Sequence, residues 1–273
     1  TCWKNIPEYS VFNIANLNTN KKFDLYNKGI ITLDQIELSE SQLSPNQILQ
    51  VQSEIDGTSY IDKDQIRKFT SNLRFPIYYL DFETIGPSIP IFEGSKPYQQ
   101  LVFQYSLHIQ KVSGSKVIHK EYLADPKEDP RIKFTEQLIS DCGVSGDILV
   151  YNISFEKGKL EDLIETFPNY SVQLQNIISR LKDLMVPFQK KWFYTPEMRG
   201  SYSIKYVLPA LVPELSYSEL AINEGGNASN IFLSMVNGTF KGNESQVRKN
   251  LLEYCKMDTY AMVKILEKLN EFG

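Results

Sequence analysis

Two spacings of apolar residues divide the chain. Between Ile77 and Tyr151 they come in short dense runs of strand length; beyond Phe155 they recur at helical intervals. Ile77-Tyr78-Tyr79-Leu80-Asp81-Phe82 predicts a first strand. A loop holding Gly86, Pro87, Pro90, Gly94 and Pro97 separates it from a long strand over 101–110. Beyond the Ser113-Gly114-Ser115 turn a third run, 117–123, returns, so the spacing predicts three antiparallel strands. A helix over 132–140 leads through Gly143 and Gly146 to a short buried strand at 147–151. Helical patterns then cover 155–165, 172–182, 203–211, 229–236 and 246–270.

Residues 1–73 read differently, with abundant Asn, Ser, Gln and Lys and only short amphipathic pieces at 23–26 and 47–51. Gly29 ends one short helical pattern and Thr32 is placed to cap a second. A helical hairpin of this kind can touch phosphate through backbone amides, but a small helical module is the commoner outcome. The expected division is a small, mainly helical N-terminal region over 1–73 and an α/β domain over 74–273. Thr1 in place of an initiator Met suggests a piece of a longer polypeptide.

Composition narrows the class. The chain has 273 residues, 42% of them hydrophobic and 23% charged, as expected of a globular protein. No apolar run approaches the roughly 20 residues of a membrane span, and no leader is recognisable. Cys2, Cys142 and Cys255 are odd in number and far apart, which excludes a disulfide framework and points to a reducing, cytoplasmic setting. The net charge of −4 counts against nucleic-acid binding by bulk attraction, yet leaves local charge around a site undecided.

Three places carry candidate chemistry. Asp81 and Glu83 project from the same side of the first strand, while Phe82 points to the other. Two like charges beside buried surface are costly unless a cation compensates them, and hard oxygen donors suit Mg²⁺ or Mn²⁺. The alternative is a strand running out into a solvated Asp-x-Glu turn. Second, the strand ending at Asn152 is followed by a helix with Glu156 in its first turn, where the helix dipole alone already favours a carboxylate. Third, Tyr254 and Asp258 stand four apart in the last helix, on a face shared with Leu251, Cys255 and Met262. An Asp on an inward face is uncommon unless paired or bound to a cation.

Taken in order, Asp81-x-Glu83, Asn152-x-x-Phe155-Glu156 and Tyr254-x-x-x-Asp258 resemble the three motifs of the DnaQ-like (DEDD) 3′-to-5′ exonucleases. Ser201-Tyr202-Ser203-Ile204-Lys205 is similar to a segment found between the second and third motifs in several relatives. The resemblance covers about residues 75–272 and implies an RNase H-like mixed sheet flanked by helices. It is nearest to a bacterial domain family often attached downstream of RecB-type nuclease modules. Cys2-Trp3 resembles the end of a cysteine cluster in such a module, which would leave Cys2 a stranded ligand. Glu253 stands where one branch of the superfamily has His, and Tyr254 where the other has Tyr, so the chain resembles the tyrosine branch.

The resemblance implies a nuclease with two Mg²⁺ or Mn²⁺ ions, acting on the 3′ end of single-stranded DNA or RNA. Asp81 would bridge the ions, Glu83 and Asp258 would hold the nucleophile side, and Glu156 the other. Glu83 would also meet the terminal 3′ hydroxyl. With a free pKa of about 10, Tyr254 is a poor base and would instead orient the attacking water. Thr84, Asn152, Phe155, Ser203 and Lys205 would contact substrate, with Arg199 near phosphate. The family usually has Asp where this chain has Glu156, and Asp183 is an alternative occupant of that position. Lys190-Lys191-Trp192-Phe193-Tyr194 mixes charge with aromatics in the manner of single-strand binders, or else is a solvated loop with one buried ring. Phe103-Gln104-Tyr105 lines the pocket or belongs to the core; His108 and His119 suit packing or surface positions better than ligation. Two further functions stay open: a nuclease-like binding or regulatory module, favoured by Glu156 and the acidic charge, and a structure-selective endonuclease.

Overall fold

A computed structural model describes residues 3–4, 6–39, 42–215, 217, 220–222 and 224–273. Cys2, matched above to a cysteine cluster, lies outside the described residues. The chain runs through α1 (Thr19–Asn27), α2 (Pro45–Asp56), β1 (Tyr60–Ile61), α3 (Lys63–Ser71), β2 (Ile77–Ile85), β3 (Leu101–Gln110) and β4 (Ile118–Leu123). It continues with α4 (Pro130–Cys142), β5 (Ile148–Val150), α5 (Ile153–Thr166), α6 (Ser171–Ser179) and β6 (Leu181–Asp183). Last come α7 (Val186–Gln189), β7 (Phe193–Tyr194), α8 (Ile204–Leu211), α9 (Gly225–Val236) and α10 (Glu244–Phe272). These elements form two compact units. One comprises Thr1–Ser71, Met185–Leu215 and Glu267–Gly273; the other comprises Asn72–Leu184 and Ser216–Leu266.

The second unit is α/β, built on a mixed sheet with strand order β4-β3-β2-β5-β6. β2 pairs antiparallel with β3 and parallel with β5, so it lies in the middle of the sheet. Cover on both faces explains why its sequence is almost continuously apolar. Tyr78, Leu80 and Phe82 enter a core with Phe134 and Leu138 of α4, Leu160 and Leu163 of α5, and Leu174 and Ile177 of α6. The odd-numbered positions face the other way, toward α9 and α10, and there β2 carries Asp81 and Glu83. The register of β2 on β3 slips between Glu83 and Thr84 and leaves Phe103 without a partner. Such a bulge re-aims side chains locally. Phe103 accordingly stacks on Phe232 of α9, with ring centroids 4.0 Å apart, while Gln104 Nε2 donates to the Leu251 carbonyl of α10. Phe103, Gln104 and Tyr105 are therefore core residues.

The entry to β5 is fixed by charge. Asp147 is fully buried and accepts from the Arg74 amide and guanidinium. Arg180 donates to the carbonyls of Cys142, Gly143, Ser145 and Gly146. Arg180 also ends α6 one turn before the helix expected over 172–182. Leu181–Asp183 is instead a strand pairing with β5. Leu174, Ile177 and Leu181 keep helical spacing across that junction, which is why the sequence reads through it.

The other unit is mostly helical in its N-terminal part, around Val11, Ile14, Leu17, Leu33, Ile36 and Val51. Thr32 caps only a single 3₁₀ turn, Leu33–Gln35, and not a full second helix. Two-residue strands β1 and β7 pair antiparallel. Lys191, Phe193 and Tyr194 are buried, and the Lys191 ammonium lies 4.0 Å over the Tyr194 ring. These side chains are not open for stacking on bases. Arg199 forms an ion pair with Glu8 at 2.7 Å. Among the described residues no helix is long and apolar enough to cross a membrane.

Gly146 sits at φ +87, and a Cβ there would come within 2.0 Å of the Pro76 carbonyl oxygen. Gly146→Ala is expected to cost roughly 2–4 kcal/mol through combined strain and clash, read as a lowered urea midpoint. An unchanged midpoint would contradict this packing of β5 beside β2.

Candidate metal centre

Three distant segments deliver carboxylates to one face of β2. Asp81 is half-buried and Glu83 buried at the end of the strand. α10 crosses that face and presents Tyr254, Cys255 and Asp258, all buried, from successive turns. α5 begins just beyond β5, where Asn152 takes a left-handed turn at φ +86 and directs Glu156 inward from the first helical turn. Asp183, the alternative to Glu156, has another task. Its two oxygens accept from the Asn152 and Ile153 amides at 3.1 and 3.0 Å, so it caps α5.

The charges report how tightly these groups gather. Burial raises the Asp81 pKa well above its ordinary value, and the negative charges of Asp258, Glu83 and Glu156 each raise it further. Burial, with the charge of Asp183 adding to it, pushes Glu156 up to about 8. Glu156 Oε2 is buried without a hydrogen-bond partner. Tyr254 is pushed up by burial and then by Asp258, Glu83 and Asp81, so its hydroxyl keeps its proton. The buried Tyr217 is pushed up by burial and by Asp258. α9 starts at Gly225, where an added Cβ would lie 3.7 Å from both Glu83 Oε2 and the Tyr254 hydroxyl. The start of α9 thus lies against Glu83 and Tyr254.

Ligand atoms of Asp81, Glu83 and Cys255 all lie within 4.8 Å of one another. This buried acidic and thiol cluster, with an orphaned carboxylate oxygen from Glu156 beside it, has the donor chemistry of a divalent-cation site. A polar chain behind it holds α10 to the sheet. Ser106, opposite Asp81 in the ladder, lies 2.6 Å from the Thr259 hydroxyl, which is 2.8 Å from His108 Nδ1. His119 Nε2 closes the chain on Ser106 at 2.9 Å. Burial lowers His108 to about 3 and His119 to about 4, so both stay neutral and serve as packing, as expected.

The five residues assigned to substrate contact are more scattered. Thr84 is buried, and its carbonyl accepts from Ser229 at 2.6 Å. Asn152 is the left-handed residue before α5, and Phe155 packs against the main core. Ser203 and Lys205 belong to the other unit, at the N-cap and first turn of α8. Two residues near the cluster escaped sequence reasoning. Cys255 reads as one more apolar position on the inward face of α10, and Tyr217 lies in a segment with no periodic pattern.

Residues 78–203 match a domain of unknown function (DUF2779). The "Uncharacterized protein UU173" of Ureaplasma parvum serovar 3 is 28% identical over 255 residues, covering 81% of this chain and 35% of that protein. "Uncharacterized protein MG366" of Mycoplasma genitalium is 29% identical over 206 residues, 69% of this chain and 31% of the relative. Its homolog in Mycoplasma pneumoniae is 29% identical over 214 residues, 71% and 32% respectively. The chain therefore spans about a third of the length of the curated relatives it matches. No solved structure matches it.

Glu156 has its ordinary pKa of 4.5 when unfolded and one of about 8 when folded, so the metal-free folded chain holds that proton more tightly. The stabilisation is complete below 4.5 and is lost as pH rises through about 8. Thermal melts of the metal-free chain are expected to drop across that window, and Glu156→Gln to flatten the drop and stabilise its alkaline end. A wild-type melting temperature that climbs steadily through the window would contradict the buried, unpaired carboxylate.

Proposed function

We propose that the chain is a divalent-metal-dependent nuclease of the DnaQ-like type, with an RNase H-like domain that removes nucleotides from the 3′ end of single-stranded DNA or RNA. One observation carries the reading: Asp81, Glu83 and Cys255 gather ligand atoms within 4.8 Å of one another on one face of β2, and Glu156 ends in a buried oxygen without a partner. An antiparallel β4-β3-β2 trio continued by parallel β5 and β6 supports the same reading.

Asp81, Glu83, Glu156 and Asp258 would hold Mg²⁺ or Mn²⁺, which supply positive charge to acidify water and neutralise a leaving oxygen. The chain's own groups then have distinct tasks. Asp81, which feels the charge of the three other carboxylates, would be a shared ligand of the ions. Tyr254 keeps its proton, so it acts as a hydrogen-bond donor that orients a nucleophile and not as a base. Glu156 reaches inward from α5 because Asp183 holds the start of that helix. The relatives extend far beyond the matched region, which leaves length for a further module; a RecB-type nuclease is the one we propose.

Oligonucleotides labelled at the 3′ or the 5′ end, in both sugars, test the reading when incubated with Mn²⁺. Mononucleotide release from the 3′ end is expected, with circular substrates uncut. Asp81→Asn and Asp258→Asn should each reduce the rate by more than about a hundredfold, the upper end of what even outer-sphere metal contacts cost. Tyr254→Phe should cost roughly tenfold, the worth of one hydrogen bond. Activity that survives both carboxylate substitutions would remove the proposal.

A further inference from the structure

Cys255 has no part in the chemistry above, yet it sits among the carboxylates. Its side chain is fully buried, and Sγ lies 3.8 Å from Asp81 Oδ2 and 3.9 Å from the Asp81 carbonyl oxygen. Cys142 makes the contrast, being an ordinary member of the apolar core under β2. Donors that share one ion at bond lengths of about 2.0–2.3 Å stand about 3–4.5 Å apart. The spacing of Asp81, Glu83 and Cys255, all within 4.8 Å, is close to that.

One further observation points to a missing ligand at the same place. Glu156 Oε2 is buried without a partner, on a residue only 1% exposed whose charge reaches Asp81. A thiol changes what such a site prefers. Carboxylates alone suit Mg²⁺ or Mn²⁺, whereas a sulfur donor moves selectivity toward softer first-row ions.

Resting on the metal reading of the preceding section, we propose that Cys255 is itself a ligand: with Asp81 and Glu83 it holds a transition ion, Co²⁺ or Zn²⁺ more tightly than Mn²⁺, and all of these in preference to Mg²⁺. Coordination replaces the S–H bond by a metal–sulfur bond and releases the thiol proton to solvent, so no oxidant or reductant is involved. The site would then tolerate Mg²⁺ poorly, and its metal supply would set its activity.

Co²⁺ titration of the metal-free chain, followed by absorption, tests this without reference to catalysis. A saturable thiolate-to-cobalt charge-transfer band is expected, displaced by Zn²⁺ and unaffected by a large excess of Mg²⁺. Cys255→Ser should abolish the band and weaken Zn²⁺ binding by more than about tenfold while leaving Mg²⁺ affinity nearly unchanged. X-ray absorption at the zinc edge of the wild-type chain needs no variant and should reveal a sulfur neighbour at about 2.3 Å. A band that persists in Cys255→Ser would overturn the proposal. Ion binding with neither band nor sulfur neighbour would also overturn it and leave the all-carboxylate site intact. Failure of the wild-type chain to bind any divalent ion would remove both this proposal and the reading on which it rests.

Discussion

Repulsion among carboxylates drawn out of water is the constraint on which the rest of the second unit turns. Asp81 with Glu83, Glu156 and Asp258 come from three segments far apart in the chain, and folding brings their charges within reach of one another. An arrangement of this kind works against stability unless protons or cations neutralise it. The start of α9 faces Glu83, and Cys255 directs its thiol at Asp81.

Much of the architecture around the cluster can be understood as scaffolding that holds these charges in place. β2 takes the centre of the sheet, so its two acidic residues sit on a strand braced from both sides. Asp147 with Arg74, and Arg180 with the 142–146 carbonyls, fix where β5 starts, and β5 in turn decides where α5 begins. Asp183 then caps α5 from the neighbouring strand. On the far side, the Ser106–Thr259–His108 chain ties α10 to β3 one residue beyond Asp258. Each tie is polar and directional. That is the kind of interaction that specifies a position more than it adds to total stability.

The parts of the site legible in the sequence were those governed by a period. Alternation along β2 put Asp81 and Glu83 on one side, and helical spacing put Tyr254 and Asp258 together, because both rules act between near neighbours. What brings α10 to β2 is tertiary packing, and only the order of the three motifs hinted at it. Shorter features left no pattern to read. β6 has three residues and keeps the spacing of the preceding helix, and β1 and β7 have two each. The bulge at Phe103 is invisible because its residues are those of an ordinary strand. Lys191 and Tyr194 misled for a different reason: the same lysine and aromatic that would suit a single strand bind each other, next to Glu54. Cys255 passed for core because a thiol and a small apolar side chain look alike in a hydrophobic pattern.

The cluster's need for a cation is most directly accessible to calorimetry. Mn²⁺ would be titrated into the metal-free chain in two buffers of different ionisation enthalpy. Carboxyl groups that hold protons in the folded state must surrender them to an incoming ion, so saturable binding with a buffer-dependent heat is the expected result. Heats no larger than those of dilution, in both buffers, would contradict a metal centre at Asp81, Glu83, Glu156 and Asp258.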